Sequence, residues 1–465
     1  MKSENLTDFE KYLNARPLDV HTWSDHPEVN VFVNEIYTQL SSIQGNERIN
    51  KKLLKVVLLD LYLAWCTDPE LMIMFSRDNN AYKAKSRYNE IHIGKKVIGV
   101  VNNLVNDGII VEKRGFNDQI RGIGFQSRLW ASPSLKEKFK SARFHQFQFC
   151  DHAGRESIVL RDENKEAVDY YEDNAIITFS RSLLFDYNAL LANTHIEIFD
   201  LDKPVIEIGS GSKIMSLAIN QQDKFVRRIF NNSSWDQGGR FYGGWWQNIP
   251  KEFRTKLLIN GKRTVEFDYS GLHPALLYAR VRAAIPDDPY EIGLDSKHRK
   301  QVKKAFNAML NADHDLRSPP KGLPVKDMGL PWKDLKQRIK DKHSAISDYF
   351  GTGEGLKLQY TDSCIAEELM LRFIDEKSGT ALLPIHDSFI VHHGYAHELR
   401  DMMLEIFERD FGKGIGIKEL EKGIPDIVDD VSIPISNDVH EILKLNDVGH
   451  EVRLSTHRKY ILSQG

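Results

Sequence analysis

Apolar residues recur at helical spacing through "NKKLLKVVLLDLYLAW", Asn50 to Trp65, which predicts a helix buried along one stripe. "HIGKKVIGVVNNLVNDGIIVEKR" predicts a second helix ending at Asn106-Asp107-Gly108, then a strand over Ile109 to Glu112. "GFNDQIRGIGFQSRLWAS" follows as a hairpin with Gly115, Asn117 and Asp118 at its tip. Between 141 and 235 the signal thins. There "NTHIEIFDLDKPVIEI", Asn193 to Ile208, predicts strands around a turn, and "IMSLAINQQDKFVRRIFNN" a helix with a basic end. In "VEFDYSGLHPALLYAR", Val265 and Phe267 flank Glu266 as in a strand; the chain then reaches Asp268 and runs through a proline into an apolar helix over Ala275 to Ala279. "LLPIHDSFIVHH", Leu382 to His393, is a further apolar strand interrupted by His386-Asp387-Ser388. Each feature has a plain reading: an Asp between strand and helix is ordinarily a cap, and a His-Asp pair between strands ordinarily a hairpin tip.

At 465 residues the chain exceeds what one hydrophobic core supports and suggests two to four domains. Apolar content of 41% and charged content of 28% are those of a globular protein, and no repeat or low-complexity tract stands out. A net charge of −3 argues against a uniformly basic coat while leaving room for local basic grooves. Cys66, Cys150 and Cys364 are too scattered for a metal or disulfide pattern and fit reduced thiols. No run is long and apolar enough for a signal or a span, so a cytoplasmic protein without a membrane partner is expected.

Helices followed by a two-stranded wing is the winged helix-turn-helix order, and Arg87 to Trp130 resembles that family. The resemblance implies a recognition helix at about Gly94 to Asn106 offering Lys95, Lys96, Asn102 and Asn103 to a groove. It also implies a wing carrying Arg114 and Arg121 to phosphates. The plain alternative is a scaffold or a protein-contact module.

The chemistry concentrates after residue 236. Asp268 and Asp387, flanked by apolar strand residues, are costly to bury without a cationic partner, and a pair of magnesium ions suits carboxylate oxygens. In "KHRKQVKKAFNAML", Arg299, Lys303 and Asn307 are four apart and share a helix face, which would present two cations to a triphosphate.

Taken in order, these pieces resemble the palm and fingers of family A (DNA polymerase I-like) polymerases, with some features of single-subunit phage-type RNA polymerases. "GGRF" with "WWQNIP" is similar to the stretch before motif A, "FDYSGLHPALLYA" to motif A, "RKQVKKAF" to motif B and "PIHDSF" to motif C. "LQYTDSCIAEELM" is similar to the helix before motif C. The resemblance spans about 236–412. It implies an α+β polymerase right hand, with an antiparallel palm sheet and helical fingers and thumb, preceded by a winged-helix domain. The expected division is 1–140 winged helix, 141–235 thumb or connection, 236–425 palm and fingers, and 426–465 tail.

The roles implied are specific. Asp268, Asp387 and the Tyr269 backbone carbonyl would hold two Mg2+ ions (Mn2+ as a substitute). Arg299 and Lys303 would hold the triphosphate, with Lys303 also a proton donor, and Asn307 and His273 would face the nucleotide. Arg240, Gln247, Gln359 and His386 would contact the template-primer. There are departures. His273 stands where the family's DNA polymerases carry a Glu that excludes the ribose 2′-hydroxyl, and Asn307, Asn311 and Ala312 stand where motif B carries aromatics. Ser388 makes motif C closer to the RNA polymerase version. The expected activity is a compact DNA-directed DNA polymerase of a mobile element, plasmid or phage, working on DNA template-primer and nucleoside triphosphates. The alternatives are an RNA polymerase or primase on this fold, and a replication initiator whose polymerase domain is only a platform.

Overall fold

The computed structural model describes residues 12–420 apart from 13, 42, 119–122, 145–148, 152–153, 200, 202–204, 209–214, 220–222, 377–379 and 413. Arg121 and the 426–465 segment lie outside the described residues. The architecture is mixed α+β, with two hydrophobic cores, one built from Val29 to Phe149 and one from Ile158 to Phe407.

The first core is organised by the helix Glu47–Thr67, buried along most of its length and capped by the Asn46 side chain, which accepts from the Ile49 N–H. The helices Pro27–Gln39 and Lys96–Asn106 belong to the same core. A four-stranded sheet completes it in the order Ala15–Pro17, Met72–Phe75, Ser127–Ala131, Ile110–Lys113. Gly108, in the left-handed region at φ 69°, ends the Lys96–Asn106 helix. Asn117 and Asp118 are not at a hairpin tip as expected. They lie in a strand, Phe116–Asp118, paired with Ile123–Phe125, which carries the hairpin further out.

Two readings of the middle of the chain are corrected. The stretch expected to be helical forms the strands Met215–Ala218 and Arg227–Asn231. The second is captured on both sides, antiparallel to Ser234–Tyr242 and parallel to Ile158–Leu160. Asn232 and Ser233, both at positive φ, form the tight turn that makes this hairpin. The strands Ile196–Ile198 and Val205–Ile208 do not pair with each other. The first joins Leu257–Ile259 and the second Met215–Ala218.

The sheet at the heart of the second core is antiparallel throughout. Its order is Ile196–Ile198, Leu257–Ile259, Lys262–Tyr269, Ser388–His392, Leu383–Ile385, and Ile417–Glu419 also pairs with the Lys262–Tyr269 strand. The helices Ala175–Ala192, Leu272–Arg280, Gly355–Glu376 and Ala396–Phe411 contribute buried residues to the same core. Among the described residues no helix is long and apolar enough to cross a membrane.

Candidate active site

Val265, Phe267 and Tyr269 are buried on one face of the Lys262–Tyr269 strand, so Glu266 and Asp268 lie on the other. Tyr269 is fixed in the core, donating its hydroxyl to the Met403 carbonyl at 2.7 Å. Asp268 lies opposite Ser388 in the antiparallel ladder, and Ser388 in turn pairs with Ile385, which leaves His386-Asp387 as a two-residue turn. The hairpin-tip reading is therefore correct, and it is also what brings the two carboxylates together. Asp387 directly precedes the residue facing Asp268, and the Tyr269 N–H donates to the Asp387 carbonyl at 3.3 Å. Asp268 is not a helix cap. The next helix, Leu272–Arg280, starts one residue after Gly271, whose left-handed φ of 69° turns the chain from strand to helix.

The carboxyl of Asp268 is pushed up to about 6, first by burial and then by the charge of Asp387, with Lys303 and Lys418 opposing. Lys418 faces Asp268 in register on the Ile417–Glu419 strand. Two carboxylates held together by backbone pairing and opposed by lysines form a hard, oxygen-rich donor pair. Mg2+ is suited to such a pair, since it binds through one or two carboxylates and completes its shell with water and phosphate oxygens. Among the described residues no group of three or more His, Cys, Asp or Glu side chains converges as a metal cluster. Glu266, next on the same face, has protein partners of its own: Arg254 at 3.1 Å and the Ser388 hydroxyl at 2.7 Å.

The helix Arg299–Asn311 exposes Arg299 and Lys303 and buries Val302, Ala305 and Phe306. Asp288 holds Arg299 in a fork, with contacts of 2.7 and 3.0 Å, and caps the Tyr290 N–H. The Tyr290 ring lies under both cations, 5.1 Å from the Arg299 guanidinium and 5.7 Å from the Lys303 ammonium. Its hydroxyl is pushed up to about 12 by burial, and both Asp387 and Asp268 add to that shift. Tyr290 thus packs under the cationic helix, and its hydroxyl feels the charge of both carboxylates. It sits in a polar loop without periodicity, and no signal in the sequence singles it out.

A second polar cluster lies on the Gly355–Glu376 helix. Asp362, whose side chain is fully buried, receives Arg240 at 2.5 and 3.0 Å and lies 2.9 Å from the His273 Nε2. Arg240 reaches it from Ser234–Tyr242, where Gly238 and Gly239, at φ 79° and 77°, interrupt the strand register. A side chain at Gly239 would meet Ser363 Oγ at 2.8 Å. The neighbouring Arg228 is fully buried and bonds Ser180, Ser363, the Gly239 carbonyl and Glu367, tying the strand to two helices. Asp362 lies inside a motif singled out for Gln359, so its polarity was visible in the sequence while its partners were not.

Other expected residues are placed as follows. Gln247 donates both amide hydrogens to protein carbonyls, of Phe241 and Pro384, and accepts from Gly243. Gln359 is half-buried on the Gly355–Glu376 helix, and Asn307 is half-buried on the cationic helix. His386, at φ 57°, packs edge-on to Tyr242, and its buried Nδ1 has no partner among the described residues. Burial and the charge of Arg240 push its imidazole down. In the first core, Lys95 and Lys96 are exposed, whereas Asn102 accepts from Arg77. Arg114 is exposed and lies 3.3 Å from Glu112.

No protein-family model matches the chain, and no curated protein matches it. Among solved structures it is similar to the POL domain of Pol1 from M. smegmatis in complex with DNA primer-template and dNTP. That likeness has 14% identity and a TM-score of 0.30, and covers 42% of this chain and 47% of that one. The chain therefore spans less than half of that structure.

Proposed function

We propose that the protein is a template-dependent nucleotidyltransferase, a compact DNA-directed DNA polymerase acting on template-primer and nucleoside triphosphates. The observation that carries this reading is the side-by-side placement of Asp268 and Asp387 by strand register, with Lys303 and Tyr290 facing them. Asp268, Asp387 and the Tyr269 carbonyl would hold the divalent ions. Bound there, Mg2+ or Mn2+ supplies Lewis-acid stabilisation of charge on the transferring phosphoryl group. Arg299 and Lys303 grip the triphosphate, Arg299 as a fork and Lys303 as a point charge that also hands a proton to the leaving pyrophosphate. Tyr290 positions both cations from below. Asn307 and His273 border the nucleotide, and His386, Gln359, Arg240 and Gln247 shape the floor for the template-primer. The N-terminal section serves as the winged-helix module for duplex DNA, through Lys95, Lys96, Asn102, Arg114 and Arg121.

One observation favours ribonucleotide use, as in an RNA polymerase or primase. His273 is engaged with Asp362, so that position offers no carboxylate against a 2′-hydroxyl. Primer extension with deoxy- and ribonucleotides offered separately tests both readings. Incorporation by the wild type and its loss in Asp268→Ala and Asp387→Ala are expected. No incorporation, or incorporation untouched by both substitutions, would overturn the enzyme reading, and preference for ribonucleotides selects the second.

A further inference from the structure

A cleft of about 740 Å3 opens on the first core, and none of the residues assigned above lines it. Arg48, Lys51, Lys52 and Lys55 line it from the single helix Glu47–Thr67. Their spacing of three, one and three residues places all four on one face, in a row about 10 Å long at 1.5 Å per residue. Asn30, Val33 and Asn34 of the Pro27–Gln39 helix form another wall, Trp23 adds an aromatic surface, and no Asp or Glu is among the lining residues.

We propose that this cleft binds the phosphodiester backbone of a single-stranded nucleic acid. Charged helix faces are commonly just solvated, but these cations line a concavity, where a low-dielectric wall focuses their field. Lys55 is 7% exposed; it donates to the Ser24 carbonyl at 2.8 Å and lies 4.3 Å over the Trp23 ring. Lys52 donates to the Ile91 carbonyl at 2.7 Å, so both ammonium groups are fixed by neutral hydrogen-bond partners, and Asp25 adds its charge near Lys55, whose own pKa burial pulls down. Lys51 pairs with Glu47 at 2.5 Å, the one ion pair of the row among the described residues, while Asp25 acts on Lys55 from further off. Arg48 is exposed, with its guanidinium fork available at the rim.

The shape favours one strand over two. A single row of cations tracks one backbone, and the exposed Ile49 and partly exposed Trp23 offer the apolar and aromatic surface against which unpaired bases pack. A row of this length also exceeds what one free phosphate needs. The inference stands apart from the polymerase reading, since it uses none of the same residues.

The test is fluorescence anisotropy of the full-length protein with a labelled oligothymidylate across a salt series. Charge reversal at Arg48→Glu with Lys51→Glu is expected to weaken binding at least tenfold. The salt slope should become shallower by about 1.4, which is two phosphate contacts at about 0.7 each. Arg48→Gln alone, at an exposed position, should weaken binding about threefold without altering the melt. Asp268→Ala should leave oligonucleotide affinity unchanged, which separates this site from the catalytic proposal. The inference is overturned by unchanged binding in the charge-reversed protein, or by loss on Lys95→Glu with Lys96→Glu instead. It is equally overturned if the charge reversal weakens binding of a duplex of the same length as much as it weakens oligothymidylate binding, or if inorganic pyrophosphate displaces the oligonucleotide at equal phosphate concentration.

Discussion

The Nε2 of His273 lies 2.9 Å from a carboxylate oxygen of Asp362, a residue 89 positions further along the chain, and Arg240 closes on the same carboxylate. Arg240 balances the charge of Asp362, and His273 joins the pair from the Leu272–Arg280 helix. Replacing His273 with Glu sets a second carboxylate against a buried one. We expect His273→Glu to cost about 3 kcal/mol in urea unfolding, and Asp362→Asn in the same chain to recover most of it. Equal stability of His273→Glu and wild type would contradict this arrangement.

The raised Asp268 carboxyl has a signed consequence for stability. Between 3.8 and about 6 the folded chain holds a proton that the unfolded chain has already released. Metal-free stability therefore falls as pH rises through that window, and the full penalty remains above it. Asp60, buried beside Arg16 and also raised to about 6, adds a parallel slope. The comparison is consequently made against Asp268→Asn, which should be more stable than wild type at pH 8 by about 1 kcal/mol after solvent screening. Added Mg2+ should raise the wild-type melting temperature and leave the variant's nearly unchanged.

Tyr290 acts through its ring. Tyr290→Phe keeps the surface under Arg299 and Lys303 and should change the nucleotide KM less than about twofold. Tyr290→Leu, which removes the π face, should raise it about five- to tenfold, as expected for losing roughly 1 kcal/mol of cation–π support. Identical KM values for Phe and Leu would rule this role out.

His386 occupies a left-handed backbone position and leaves a buried ring nitrogen unpaired. Both features are unfavourable, which is common where a site rather than the fold selects the residue. His386→Gly should cost less than about 1 kcal/mol, because relief of the backbone offsets the lost ring. Primer extension by this variant should nonetheless fall severalfold, measured at saturating nucleotide.

What the sequence revealed follows from the range of the forces involved. The placement of Asp268 on a strand, Asp387 in a turn and Arg299 with Lys303 on one helix face was legible, because strand alternation, two-residue turns and helix spacing are local. Tyr290, Asp362, Arg228 and Lys418 were not, because their roles arise from pairings across the core. The helix expected over "IMSLAINQQDKFVRRIFNN" failed for the same reason: Arg227–Asn231 is the central strand of a three-stranded sheet, held between Ser234–Tyr242 and Ile158–Leu160. Arg228 looked like part of a basic helix end, yet it is among the most buried side chains of the protein.

The register that sets Asp268 against Ser388 is made of main-chain hydrogen bonds, which are indifferent to side-chain identity. Neighbouring positions can therefore drift in mutational time while the two carboxylates keep their spacing. Insertions and deletions are a different matter. Removing one residue from Ser388–His392 would slip that strand's register against Lys262–Tyr269 and turn its buried side chains to the opposite face, so this hairpin should tolerate many replacements but no change of length.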